Sequence, residues 1–492
     1  MEYIPVIGLE IHAQLRTESK MFCSCVNDPE TREPNVHVCP LCLGHPGTLP
    51  VTNEEAIKKM IRIGKALNCN IQDVSRFDRK NYFYPDLPKG YQISQDRKPL
   101  CYNGYLKIGE REIRINRVHL EEDTGRLVHD EKEGHSLVDF NRAGTPLMEL
   151  VTEPDIRSAQ EAKEFAEELR LILQYLGVSG ANLEKGQMRV EVNISLSKKD
   201  EKKGTKVEIK NLNSFRSVNN ATWYEIERQK KVLEKGEQVV QETRGWDEEK
   251  EETFSQRKKE GADDYRYFPE PDLPPLYLNE SPFYKDEMKI AEELPQKKRA
   301  RYKEQYGMED DRELKMFIED KDLADYFEKV VSLSFDLLSK KKGEDSLREE
   351  GASLVNTVKS YLLTELMGIL EGRSVKELHI EPHNFAHFVI LIHQKEISSK
   401  IAKKVLKEMV TTNKGPSEII EEKGLSQISD KEELDRVVTD VINENLQAVN
   451  DYKEGKEEVL QFLVGQVMKK TKGRAAPEEV NRLFKEKLEK EE

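Results

Sequence analysis

No stretch of this chain stays apolar for the ~18–20 residues that a membrane-spanning helix needs. The opening, Met1-Glu2-Tyr3-Ile4-Pro5, lacks the basic-then-apolar form of a secretory signal, so the expected location is the cytoplasm. No G-x-x-x-x-G-K-[ST] occurs, and a nucleotide site, if present, is not of the P-loop type. Positive charge is also in the minority: 79 lysines and arginines against 93 acids leave a net −14. That balance argues against a surface built to coat nucleic acid broadly, while leaving room for a local basic patch. What remains is a very soluble chain, 35% charged with a mean hydropathy of −0.73. Its 492 residues suffice for about two to four domains, each with its own core.

The most informative stretch is Val6-Ile7-Gly8-Leu9-Glu10-Ile11-His12-Ala13-Gln14-Leu15. Side chains alternate across a strand, so Leu9, Ile11, Ala13 and Leu15 share one face while Glu10, His12 and Gln14 share the other. Arg189-Val190-Glu191-Val192-Asn193-Ile194-Ser195-Leu196 repeats the pattern, as does Lys206-Val207-Glu208-Ile209-Lys210. Between them lies an acidic knot, Val118-His119-Leu120-Glu121-Glu122-Asp123, running into a Thr124-Gly125 turn. If these strands share a sheet, its open face gathers Glu10, His12, Glu122, Glu191 and Glu208. Clustered carboxylates repel unless a cation or proton sits among them, and hard oxygen donors suit magnesium. A solvated face with no ligand would show the same alternation.

Two short cysteine pairs, Cys23/Cys25 and Cys39/Cys42, can offer four thiolates to one tetrahedral zinc ion, with His37 or His45 able to replace one thiolate. A cytosolic chain disfavours disulfides. With all four positions taken, such an ion would hold a loop and not perform catalysis. Cys69 and Cys101 stand apart and read as plain buried or half-buried thiols.

Residues 53–68 have the caps and apolar stripe of a helix. Phe77–Gln95, with two prolines, five aromatics and three cations, reads as an ordered loop lining a site. Val138–Leu150 reads as a second irregular polar block before a helix of about residues 158–176. From about residue 289 the pattern is helical. There Ser339–Asp345 reads as a solvated charged loop, and Pro382 keeps His379 off the helix of His383 and His387, so these and His393 read as core or capping histidines. Lys469, Lys470, Lys472 and Arg474 cluster round Gly473 before a final helix starting at Pro477, a cationic loop suited to RNA phosphates.

Val138–Leu150 resembles the signature of the B subunits of the aspartyl/glutamyl-tRNA(Asn/Gln) amidotransferases. The same family's motifs match at Val6–Leu15, Phe77–Gln95, His119–Gly125, Gly204–Phe215 and 263–272, and the four cysteines match its zinc-carrying members. The similarity spans nearly the whole chain. It implies an α+β protein: a mostly antiparallel-sheet catalytic cradle at 1–288 with its zinc loop at 23–42, a helical domain at 289–408 and an all-α YqeY-like tail at 409–492. It implies ATP- and Mg²⁺-dependent phosphorylation of the side-chain carboxylate of Glu-tRNA(Gln) or Asp-tRNA(Asn), then amidation. Glu10, His12, Glu122, Glu191 and Glu208 would form the magnesium floor, and Arg79, Lys80 and Arg142 would meet the phosphates. No serine-glycine-rich amidase loop appears, and neither Cys69 nor Cys101 sits in a nucleophile-like turn. The resemblance implies that ammonia comes from a separate amidase subunit, with a small third subunit completing a heterotrimer. The competing expectations are a non-catalytic tRNA-binding scaffold, whose acids are only a solvated face, and a stand-alone small-molecule kinase.

Overall fold

The computed structural model describes residues 3–130, 134–198, 204–258, 265–289, 292–377, 380–425, 431–453, 456, 458–471 and 474–489. The motif residues Asp263 and Asp264, together with His379 and Lys472, lie outside the described residues. Two compact units emerge, Met1–Lys297 and Lys298–Glu492.

The first unit is built on a nine-stranded sheet. Its spatial order is Glu252–Lys258, Glu242–Asp247, Val207–Leu212, Met188–Lys198, Tyr3–Gln14, Pro146–Thr152, Arg111–Glu122, Cys101–Ile108 and Asn70–Ile71. Every neighbouring pair is antiparallel except Val207–Leu212 with Glu242–Asp247. The alternation read in the opening strand is realised: Ile7, Leu9, Ile11, Ala13 and Leu15 are buried, while Glu10, His12 and Gln14 are half-buried. Across the register Ile11 faces Val190 and Leu150, so neighbouring strands turn apolar residues to the same side.

Three helices cover that apolar side: α1 (Glu54–Ala66), α2 (Ala159–Tyr175) and α3 (Phe215–Glu234). Each begins where the sequence supplies a cap. Asn53 accepts from the Ala56 amide at 3.2 Å, Ser158 from Glu161 at 3.1 Å and Ser214 from Ser217 at 3.0 Å, satisfying N–H groups the helix leaves orphaned. Ile57, Met60 and Ile61 of α1, Phe165, Leu169 and Ile172 of α2, and Val218 of α3 enter one core with the strands. Full burial of each large side chain contributes about 1.5–3 kcal/mol. The helices thus hold one face shut and leave the polar face open to chemistry.

Two segments differ from the sequence reading. Phe77–Gln95 is not all loop: Asp78–Asn81 and Tyr91–Ser94 pair antiparallel in a small sheet with Phe268–Pro269, and only the residues between them are irregular. Val138–Leu150 divides into the end of strand His135–Asp139, a turn, and strand Pro146–Thr152. Long-range strand partners decided both, and local composition does not reveal them.

The second unit is helical. Tyr302, Tyr306, Phe317 and Phe327 pack edge-on or tilted with ring centroids 4.6 to 6.1 Å apart. Helix Lys321–Lys342 runs through most of the stretch expected to be a charged loop. Lys340, Lys341 and Lys342 suit a last turn, where cations oppose the helix dipole, and Gly343 ends it at φ +89°. A separate core of Leu434, Val438, Val441, Leu463, Val467, Val480 and Phe484 holds the last helices together.

Candidate active site

The open face gathers acids and histidines through strand register. Glu10 lies opposite Glu191, and His12 lies between Arg189 on one side and Glu149 on the other. Glu149 in turn faces His119, and Glu208 faces Asn193. Among the described residues three groups of potential ligand atoms result on this face, each within 4.8 Å: His119, Glu121 and Glu149; Glu10, His12 and Glu149; Glu10, Glu191 and Glu208. Glu149 and Glu10 each belong to two of them, so the groups form one ridge.

The electrostatics are those of a crowded site. Burial raises the pKa of Glu10, and the neighbouring Glu149 and Glu191 carboxylates raise it further. Burial works against the His12 imidazolium, but its hydrogen bond to Glu149 and the charges of Glu149 and Glu121 outweigh this and push it up to about 9. Glu149, despite burial, is held well below the usual carboxylate range by His119 and His12. Both imidazoles stand 3.4 Å from its Oε2. The donors fit a hard divalent ion: carboxylate oxygens, an imidazole, and the buried Asn193 Oδ1, which has no hydrogen-bond donor among the described residues. Thr243 Oγ1 donates to Glu208 Oε2 at 2.7 Å and fixes that carboxylate.

Glu122 is not part of the ridge. Side chains alternate, so His119 and Glu121 share the ridge face and Glu122 is one residue out of phase. Its carboxylate is taken by Lys89 and by the Ile93 amide at 3.0 Å. The acid of the knot that does stand on the ridge is Glu121, whose Oε1 lies 3.5 Å from His12 Nε2.

The three cations proposed for phosphates fare differently. Arg79 forms a two-pronged pair with buried Glu270, at 2.7 and 2.8 Å, and reaches Asp272 at 3.2 Å, which ties Phe268–Pro269 to Asp78–Asn81. That pairing gives it a structural role in the small sheet. Arg142 donates to the Thr124 and Gly125 carbonyls at 3.0 and 2.6 Å and lies 3.7 Å from Asp123, so it holds a turn. Lys80 remains near the ridge, its Nζ 5.0 Å from the Tyr265 ring centroid. Burial opposes its charge, but Glu121 and Glu149 keep the ammonium strongly protonated. Phe83 and Tyr84 of the same connection are 81% and 56% exposed, an aromatic rim open to solvent.

Asp123 anchors the end of the ridge. It accepts from Arg189 Nη2 at 2.9 Å and Gln14 Nε2 at 3.0 Å. Burial opposes its ionisation, yet Arg189 and Arg142 hold it down to about 2.

The four cysteines converge. Cys42 Sγ lies 3.9 Å from Cys23, 3.6 Å from Cys25 and 3.5 Å from Cys39. Four sulfurs at ~2.3 Å from a tetrahedral zinc would stand ~3.8 Å apart, close to these separations and far from a disulfide's ~2.05 Å. The hydrogen bond from Cys23 holds the Cys42 thiol down to about 4 against its burial, helped by the Cys39 amide and the Lys20 charge. The donor set fits zinc. His37 is committed elsewhere, with its Nε2 3.1 Å from Thr31 Oγ1. Cys69 and Cys101 are both buried and free, away from this cluster.

The basic tail cluster is less of a loop than expected. Lys469 and Lys470 close helix Val459–Lys470, Lys470 pairs with Glu444 at 2.6 Å, and Arg474 Nε donates to the Thr471 carbonyl at 3.4 Å.

Sequence reasoning missed Glu149, Glu121 and His119. For the last two, counting by twos from His119 along Val118–Asp123 would have placed them together. Glu149 was legible as the single charged residue among Leu147, Met148, Leu150 and Val151, had that run been read as a strand.

Comparison with known proteins gives the same answer at both ends of the chain. Residues 5–283 match the family described as the GatB/GatE catalytic domain, and residues 345–488 match the GatB domain. A relative from Persephonella marina is 48% identical over 495 residues, covering 99% of this chain and 100% of its own. Relatives from Caldicellulosiruptor saccharolyticus, at 47% over 500 residues, and Thermotoga maritima, at 45% over 502, cover all of both chains. All three are named as B subunits of aspartyl/glutamyl-tRNA(Asn/Gln) amidotransferases.

Proposed function

Because the chain belongs to the family of aspartyl/glutamyl-tRNA(Asn/Gln) amidotransferase B subunits, we propose that its open sheet face converts Glu-tRNA(Gln), Asp-tRNA(Asn) or both into the amidated product with ATP. The observation carrying this reading is the ridge, where two groups of potential metal ligands share Glu10. A carboxylate oxygen is a poor leaving group, so direct attack by ammonia fails. Attack of the carboxylate on the γ-phosphorus of ATP forms an acyl phosphate and releases ADP. Ammonia then attacks the acyl carbon, phosphate leaves, and a proton is lost from nitrogen.

Such chemistry is mostly positioning and charge. Glu10, His12 and Glu149, and Glu10, Glu191 and Glu208, would hold Mg²⁺, with His12 giving up its proton as the ion binds. Bound there, the ion supplies positive charge against the transferring phosphoryl group. Glu149 orients His12 and His119, Thr243 fixes Glu208, and Lys80 brings a cation to the same face. Cys23, Cys25, Cys39 and Cys42 would hold a structural zinc ion.

Labour divides along the chain: 1–288 performs the chemistry, 289–408 forms the helical domain, and 409–492 holds the tRNA, with Lys469, Lys470, Lys472 and Arg474 on its phosphates. An amidase subunit supplies ammonia and a small third subunit completes the complex, in the cytoplasm. Among the described residues no helix is long and apolar enough to cross a membrane.

The test is Glu10→Gln in the assembled complex. The expected result is loss of ATP-dependent phosphorylation of Glu-tRNA(Gln) or Asp-tRNA(Asn), with tRNA affinity unchanged. Phosphorylation at the unaltered rate would leave this chain a tRNA-binding scaffold.

A further inference from the structure

Lys20 is fully buried. Its backbone N–H donates to the Cys25 carbonyl at 2.9 Å, and its Nζ donates to the His37 and Phe140 carbonyls at 2.7 and 3.1 Å. One residue therefore reaches both cysteine pairs, through Cys25 of the first and through His37, two positions ahead of Cys39. The acceptors found for its Nζ among the described residues are these neutral carbonyls, not a carboxylate. An ammonium buried with only neutral partners is poorly compensated, and buried charges are normally paired. The four converging sulfurs offer the missing partner: four thiolates round a divalent ion keep an excess of negative charge.

The same residue joins the cysteine loop to the turn beyond it. Asn141 reinforces that joint, accepting from the Val36 and His37 amides at 2.9 and 3.0 Å and donating to the Glu33 carbonyl at 2.7 Å. Arg142, next in sequence, grips the Thr124–Gly125 turn.

We propose that Lys20 is the counter-cation of a zinc tetrathiolate at Cys23, Cys25, Cys39 and Cys42, a positioning residue that tightens metal binding through its charge. The proposal rests on the tetrathiolate reading, and the experiment separates the two. In the full chain, zinc content and zinc affinity are measured by competition with a chromophoric chelator for the wild type, Lys20→Met, Lys20→Arg and Asn141→Ala. Partners behind the metal ligands typically alter affinity about 10- to 100-fold, and that loss is expected for Lys20→Met. Asn141→Ala breaks the loop joint without removing a charge and should lose clearly less affinity than Lys20→Met.

A wild-type chain that binds no zinc overturns the tetrathiolate reading and the role of Lys20 with it. Zinc-binding wild type with Lys20→Met equally tight overturns only the role of Lys20, as does an Asn141→Ala loss matching that of Lys20→Met. Should Lys20→Met give no folded protein, Lys20→Arg decides. Retained affinity there supports a charge role, and lost affinity overturns it.

Discussion

Replacing Asp123 with Asn should cost the first unit stability in a way that depends on pH. The carboxylate is almost fully buried, bonded to Arg189, Gln14 and the Thr124 amide, with Arg142 3.7 Å away. A carboxyl held at about 2 when folded, against an ordinary 3.8, contributes about 2 kcal/mol at neutral pH. Its folded value is depressed, so the contribution is complete above 3.8 and disappears as pH falls through about 2. At about pH 3 roughly 1 kcal/mol should remain. Asn keeps the shape and loses the charge. Both tryptophans, Trp223 and Trp246, lie within Met1–Lys297, so their fluorescence in urea follows that unit within the full chain. The stability difference between Asp123→Asn and wild type should shrink from about 2 kcal/mol at pH 7 toward about 1 at pH 3. A difference independent of pH would refute the ion-pair account and assign the loss to shape alone.

Glu149→Gln should drop the His12 pKa from about 9 toward its ordinary 6.5, because the hydrogen bond and charge of Glu149 are what overcome burial. The contacts of the imidazolium are complete below 6.5 and lost as pH rises through about 9, and NMR titration of His12 reads the change directly. An unmoved titration would clear Glu149 of that role. Thr243→Val removes the hydroxyl that orients Glu208 and should weaken Mn²⁺ binding to the ridge about 10-fold, measured calorimetrically, with secondary structure unchanged. Equal affinity in the variant would mean that Glu208 needs no such support. Arg79→Met leaves Glu270 buried without its partner and should cost about 3 kcal/mol in urea unfolding, whereas a purely phosphate-binding arginine would cost almost nothing.

Much of the site lay open in the primary structure, and the limits have physical causes. Glu10, His12, Glu191 and Glu208 were visible because period-two alternation is local: each strand announces its polar face by itself. Glu122 stood in for Glu121 because the two are adjacent; counting by twos from His119 picks Glu121, but only pairing with Pro146–Thr152 shows that this face lies beside Glu149. Arg79 looked free for a phosphate because its partner lies 191 residues away. The Arg142 contacts lie 17 and 18 residues back, across a turn that spacing does not describe.

The amino-acid order by itself determined the helix starts at Asn53 and Ser158, the two cysteine pairs and the apolar faces of the three alternating strands. These depend on groups a few residues apart, whose geometry the backbone fixes. Tertiary structure alone decided that Glu149 belongs between two histidines, that Lys80 and not Arg79 stays beside the acids, and that Lys20 sits buried against the cysteine loop. Those outcomes depend on which strands become neighbours and which charges meet in the interior. Burial multiplies the strength of an electrostatic contact, and chain distance does not predict burial.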